Sequence, residues 1–370
     1  MYNSFRRAFV ALVLACMTLA VEAAPMADIG TDAIVFSRSR LDGDGTPRNS
    51  ALRLVTSAGT RALTAAAVGD FDSAASWSPN GTHLAYMHGS MNADATDRYD
   101  IVDLNIGTGK SRQLTAGTGN FVLPAWGPRN GIAFVSRYGR RNCVSLVDAN
   151  GERQRDLFCP PSPARIVQAP MWSADGASLY VHAGYDADRL SGVWRSLAYR
   201  VDVATGAAVV LGDGLLDGPR ALAFAPDGGR GIYSDVYAGS MDLLDFASRR
   251  MKSIGHGYAP HWSPDGKRIA FTGEVYESNP PDDFRFYEPL YVMDANGTNK
   301  RRVTSARVDN LAYTAVQWSR DGVHVLVNRR IYLDESLTIP RYALRIVNVD
   351  TGKVKVVTGG QADAGGWFER

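Results

Sequence analysis

The sequence has almost no excess of charge of either sign. Over 370 residues, 40 Lys and Arg stand against 38 Asp and Glu, a formal net charge of +2. Basic runs interleaved with aromatics are missing, so nothing favours nucleic acid and none is expected as a partner. Beyond the first two dozen residues no apolar run is long enough for a bilayer, so no transmembrane segment is expected in the mature chain. There is no Gly-x-Ser-x-Gly anywhere, and no α/β pattern follows the repeats described below. A propeller gating its own Ser hydrolase is therefore excluded for this chain alone. Convincing helical periodicity is absent too, while the 37 glycines are scattered at regular intervals, as many tight turns require.

Cysteine is scarce, with three residues. Met1 to Arg7 (MYNSFRR) is a basic segment, AFVALVLACMTLA an apolar one, and Val21-Glu22-Ala23 a small-residue cleavage site. This anatomy predicts a signal peptide over 1–23, a mature domain over 24–370, and a periplasmic or secreted protein. Val13-Leu14-Ala15-Cys16 leaves open a lipoprotein anchored through Cys16. Cleavage after Ala23 leaves Cys143 and Cys159, either a disulfide or two unpaired thiols.

What the sequence does have is repetition. Trp262 to Phe271 reads WSPDGKRIAF, and Trp77, Trp172 and Trp318 begin close copies. Weaker ones start at Trp126 and Phe224. In each copy a small-residue strand ends on the aromatic, Ser-Pro-Asp-Gly turns the chain, and a second strand follows. A third strand ends in a polar turn (LYVMDANG, LRIVNVDTG) and a fourth closes the unit (RRVT, VKVVT). The fold class is thus all-β, a propeller of four-stranded blades. Six aromatic anchors, plus IVFSR, ALRLV and RALT before them and GGWFER after them, predict seven blades. The first is closed by the C-terminal strand that carries Trp367, and six blades is the alternative.

WSPDGKRIAF…LYVMDANG…RRVT resembles the repeat of the TolB-like β-propellers, also called PD40 or WD40-like repeats. The resemblance covers nearly all of the mature chain. It implies a periplasmic binding propeller whose partner is unstated. TolB itself carries a separate α/β domain ahead of its propeller, whereas here the blades are expected to begin almost at the cleavage site. TolB's envelope role is therefore not carried over.

Few residues carry recognisable chemistry. Gly107 to Ser111 (GTGKS) lacks the first glycine of a phosphate loop and sits on a strand-to-strand turn. His83 and His324 fall six residues after their Trp, at exposed blade positions. His256 and His261 enter one inner strand, but without a third ligand they make a weak metal site. The expectation is no metal, no cofactor and no catalytic residue. Links between the second and third strands are long and irregular, and with the blade connections they open on one face. That face carries the expected ligand-binding residues Arg137, Tyr138, Arg140, Tyr185, Trp194, Tyr237, Tyr276, Tyr287, Arg329 and Arg330. The function expected is that of an exported, monomeric, non-enzymatic propeller binding an envelope protein or glycan. The alternative is a carbohydrate-active enzyme, such as a polysaccharide lyase, with its site at the channel mouth.

Overall fold

The recurring phrase is a hairpin whose turn is tied by its own side chains. Between strands Tyr258–Trp262 and Arg268–Thr272, Ser263 Oγ donates to Asp265 at 2.6 Å and accepts the Arg268 N–H at 2.9 Å. Asp265 also accepts the Lys267 N–H at 3.1 Å, and Gly266 takes the left-handed φ of +65° that the turn demands. Equivalent bonds recur at Ser78 with Asn80, Ser173 with Asp175, and Ser319 with Asp321.

The structure, a computed structural model, describes residues 33–41, 47–56, 59–91, 97–117, 119–139, 141–188, 193–217, 220–235, 239–279, 283–304, 311–332, 340–358 and 367–368. Every regular element among them is a strand, and no helix is long and apolar enough to cross a membrane. The expected signal segment 1–23, with Cys16, lies outside the described residues, as do Arg140 and Tyr237.

Each aromatic anchor heads an antiparallel meander. The Trp77 unit runs Asp70–Trp77, His83–Met91, Asp97–Asn105, Ser111–Gln113, and the Trp126 unit runs Asn120–Trp126, Gly131–Tyr138, Arg141–Asp148, Arg155–Phe158. The Trp172 unit pairs Arg165–Ile166 and Met171–Trp172 with Ser178–Asp188, then Val193–Asp202 and Ala208–Asp217. The Phe224 unit runs from Arg220–Phe224 to Met251–His256, the Trp262 unit from Tyr258–Trp262 to Arg301–Arg302, and the Trp318 unit from Leu311–Trp318 to Val354–Val356. A terminal unit joins Ala33–Leu41, Pro47–Thr56 and Gly59–Ala62 to Trp367–Phe368, which pairs Phe368 with Ala33 and Trp367 with Ile34.

The core lies between these units, and the anchors bind each to the next. Trp172, Trp262 and Trp318 donate from Nε1 to the carbonyls of Ala125, Ala223 and His261 in the preceding unit, at 2.9, 3.0 and 2.9 Å. Arg230 stacks on Trp262 and Arg268 on Trp318, with the guanidinium carbons 5.0 and 5.3 Å from the rings. His83 takes the same place against Trp126, and its Nδ1 lies 2.8 Å from Asp103. A buried polar staple adds to this between the Trp172 and Phe224 units. His182 contacts Gln168 at 3.0 Å and Ser196 at 2.7 Å, while Gln168 Nε2 donates to the Leu222 carbonyl at 2.6 Å. Burial pushes His182 down to about 3, so it is neutral.

The long irregular links are corrected by the structure. Residues 183–197 lie almost wholly in a paired hairpin reaching Asp188 opposite Val193, and another runs out to Tyr332 opposite Pro340. Within 273–289, strands Val275–Asn279 and Asp283–Glu288 pair with each other, and Tyr287 meets Leu311 in parallel. Alternation marks a strand in sequence where one face is buried, whereas Tyr185 to Ala187 and Val193 to Arg195 are all half-buried or exposed.

Candidate active site

A bulge decides which side chains meet in the Trp77 unit. In Asp70–Trp77 the register shifts between Ser73 and Ser76, where Ala74 has a φ of +51°. Past the shift Asp72 pairs with His88, and His88 pairs with Asp100 on the next strand. The three form one row across the sheet. The Asp72 carbonyl is gripped from the terminal unit by Ser37 Oγ at 2.8 Å and Ser50 Oγ at 3.1 Å.

His88 Nδ1 lies 2.7 Å from Asp72 Oδ1; the carboxylate is 4% exposed and the imidazole 37%. A buried carboxylate in this place holds the proton on Nδ1 and leaves Nε2 as the exchanging nitrogen. Among the described residues Nε2 makes no hydrogen bond. The bond to Asp72 raises the His88 pKa above its ordinary 6.5, against the effect of burial, and the charges of Asp72, Asp70 and Asp100 add to the rise. Asp100 is itself fixed by Thr115 Oγ1 and by Arg98 Nε, each at 3.1 Å. An oriented, wetted imidazole of this kind is equipped for general acid–base chemistry.

The residues expected from sequence are placed unevenly. Arg137 and Tyr138 end the strand Gly131–Tyr138, one unit on from His88, and both are exposed. The surrounding protein nevertheless lowers the Arg137 pKa, chiefly by stripping away water, with the like charge of Arg165 adding to this against an opposite pull from Tyr99. Tyr185 and Trp194 sit on the projecting hairpin, half-buried. Tyr185 faces Arg195, which grips Asp213 through two nitrogens, and the Trp194 indole lies across Gly184. Tyr276 pairs with Phe286 on its hairpin, and Arg329 lies opposite Tyr313.

Two expected contacts are corrected. Tyr287 is buried, 2% exposed, with its hydroxyl accepting from Arg302 at 3.0 Å. Arg330 pairs with Glu288 at 2.9 Å in a half-buried bond, so its charge is engaged internally. Cys143 and Cys159 are joined by a disulfide, with Cα atoms 4.1 Å apart. Sequence reasoning missed Asp72, His88, Asp100 and Arg165. Counting symmetrically outward from the Trp77–Leu84 pair puts Asp72 opposite Gly89, and only the bulge moves it to His88.

No protein-family model matches the chain. The uncharacterized peptidase YuxL of Bacillus subtilis is 27% identical over 225 residues, which span 59% of this chain and 31% of that protein. An oligogalacturonate lyase in complex with manganese superposes over 90% of this chain and 86% of its own, at 16% identity and a TM-score of 0.61. A prolyl endopeptidase gives a TM-score of 0.61 at 12% identity, over 97% of this chain and 52% of its own. TolB from Acinetobacter baumannii overlaps at 16% identity and a TM-score of 0.48, which adds nothing to the argument. The fold is therefore all-β and propeller-like. The expectation of a non-enzymatic binding protein is overturned: the lyase and the two peptidases among these neighbours are enzymes.

The lyase's manganese calls for several oxygen or imidazole donors converging on one point. Among the described residues the one cluster of metal-type donors is Cys143, Asp156 and Cys159, whose sulfurs are bonded to each other. The groups around His88 do not converge in that way and do not fit the ion.

Proposed function

We propose that this chain is a carbohydrate-active enzyme of the lyase type, acting on a uronate-containing saccharide at the end of the propeller where the inner strands begin. The observation that carries the reading is the pairing of a wetted His88 with a buried Asp72 at 2.7 Å. In the reaction, His88 Nε2 takes the proton from the carbon next to the sugar carboxylate. The C–H electrons form a carbon–carbon double bond, and the C–O bond to the neighbouring sugar breaks. The departing oxygen recovers a proton from the imidazolium, so atoms and electrons balance without water or an oxidant. Asp72 orients the ring and stabilises its charged form.

Likeness to the lyase over 86% of that chain supports the reading; the two peptidases named above are spanned for 52% and 31% of their lengths. The ring is read here as seven blades, the terminal one completed by Trp367 and Phe368 against Ile34 and Ala33. The signal anatomy supports export, and the partner is the saccharide itself. Incubation with galacturonate oligomers, followed by ultraviolet absorbance of the unsaturated product, tests the proposal. The parent should form that product and His88→Gln should form it about a hundredfold more slowly. Absence of product from the parent, or an undiminished rate in His88→Gln, would overturn it.

A further inference from the structure

Arg137 and Arg165 lie on neighbouring strands at the seam between the Trp126 and Trp172 units, and no carboxylate among the described residues is paired with either. Asn142, directly opposite Arg137, clasps the backbone of Ile166: its Oδ1 accepts the Ile166 N–H at 3.0 Å and its Nδ2 donates to the Ile166 carbonyl at 3.4 Å. Asn142 is buried, so this clasp fixes the seam and brings Arg165, the residue before Ile166, beside Arg137. The two charges are near enough to act on each other. Some other guanidiniums are paired with carboxylates, as Arg98 with Asp100, Arg195 with Asp213, and Arg268 and Arg301 with Asp350, while Arg61, Arg155 and Arg345 donate to backbone carbonyls. Like charges held together without a counter-charge are a standing electrostatic cost, and an arriving anion removes it.

This seam is separate from the His88 centre. Alternation along the strands turns Leu84, Tyr86 and His88 toward the terminal unit, whose Val35 and Leu52 pack there. Ala133, Val135 and Arg137 turn the other way, toward Trp172, Leu179 and Val181. His88 and Arg137 thus lie on opposite sides of the seam where the Trp77 and Trp126 units meet. The two sheets stack about 10 Å apart and the two side chains point away from each other, so more than that spacing separates them. That is wider than a single sugar ring.

We infer that Arg137 and Arg165 form a second carboxylate-binding subsite, which holds a uronate unit at a distance from the one that reacts and makes the enzyme select oligomers over dimers. The inference rests on the lyase reading above and adds to it the length and charge of the substrate. A dimer seated at His88 leaves the arginine pair empty, whereas a longer chain reaches both.

Calorimetric titration of a galacturonate hexamer, its methyl ester and a galacturonate dimer tests this. The His88→Gln background keeps the sugars intact. The hexamer should bind more tightly than either other probe. Arg137→Gln and Arg165→Gln should each weaken hexamer binding about tenfold, the usual worth of a charged hydrogen bond, and together abolish the preference for length. Arg137→Lys should restore part of it. Melting curves matched to the parent verify folding. An ester bound as tightly as the acid, a length preference that survives both substitutions, or no hexamer binding would overturn the inference. Absence of unsaturated product from the parent would sink the lyase reading alone, since the binding comparison does not depend on turnover.

Discussion

A histidine whose proton is held by a buried carboxylate carries its own pH signature. The folded His88 pKa lies above the ordinary 6.5, which is also the value expected in the unfolded chain. Protonated His88 therefore stabilises the fold fully below about pH 6.5, and that contribution is lost as pH rises through the folded value. Thermal melts of the parent and His88→Gln should differ most near pH 6 and converge toward pH 9; a constant difference would mean that the ring does not titrate as described. Catalysis has the opposite slope, because a base works unprotonated. Lyase turnover should rise with pH along the same titration, and its midpoint should shift down in Asp72→Asn. His182 supplies the contrast. Burial keeps it neutral in the fold, so its contribution is complete above about pH 6.5 and falls below that, where only the unfolded chain takes up the proton.

At the scale of elements, the anchor and its turn form one mechanical part. Trp318 contributes an indole bond to His261 and a platform for Arg268, so it ties two units along one seam. Trp318→Phe keeps most of the buried area but loses that bond, and should cost about 1–3 kcal/mol by denaturant titration, with the acceptor left unsatisfied. The disulfide is a second tie, joining the third strand of the Trp126 unit to the end of its fourth across 16 residues. Closing a loop of that length is worth about 3 kcal/mol through the unfolded chain. Reduction, or Cys159→Ser, should lower stability by that amount; an unchanged melting curve under reductant would show that the tie contributes nothing.

At the scale of the molecule, the two ends of the chain meet. Trp367 and Phe368 pair with Ile34 and Ala33, which otherwise present a free edge. Removing 367–370 should therefore lower the melting temperature and promote aggregation, read by scattering during the melt. Truncated protein that melts like the parent would show that this pairing adds nothing to stability.

The sequence by itself determined the all-β class, the unit of repetition and the turn chemistry, because these depend on neighbours a few residues apart. WSPDGKRIAF declares its hairpin through Ser263, Asp265 and Gly266, which satisfy one another locally. It also marked Arg137 as a surface residue of interest. The row Asp72, His88, Asp100 was decided only by tertiary structure, since a one-residue bulge in Asp70–Trp77 sets which face Asp72 shares. The same holds for Arg165, whose place beside Arg137 depends on a clasp between units made by Asn142. Tyr287 and Arg330 show the converse. Residue type suggested surface contacts, but the hairpin that folds over the Trp318 unit buries one and pairs the other with Glu288. Local patterns fix turns and periods; which side chains face one another across strands and seams depends on register, and register is a property of the assembled sheets.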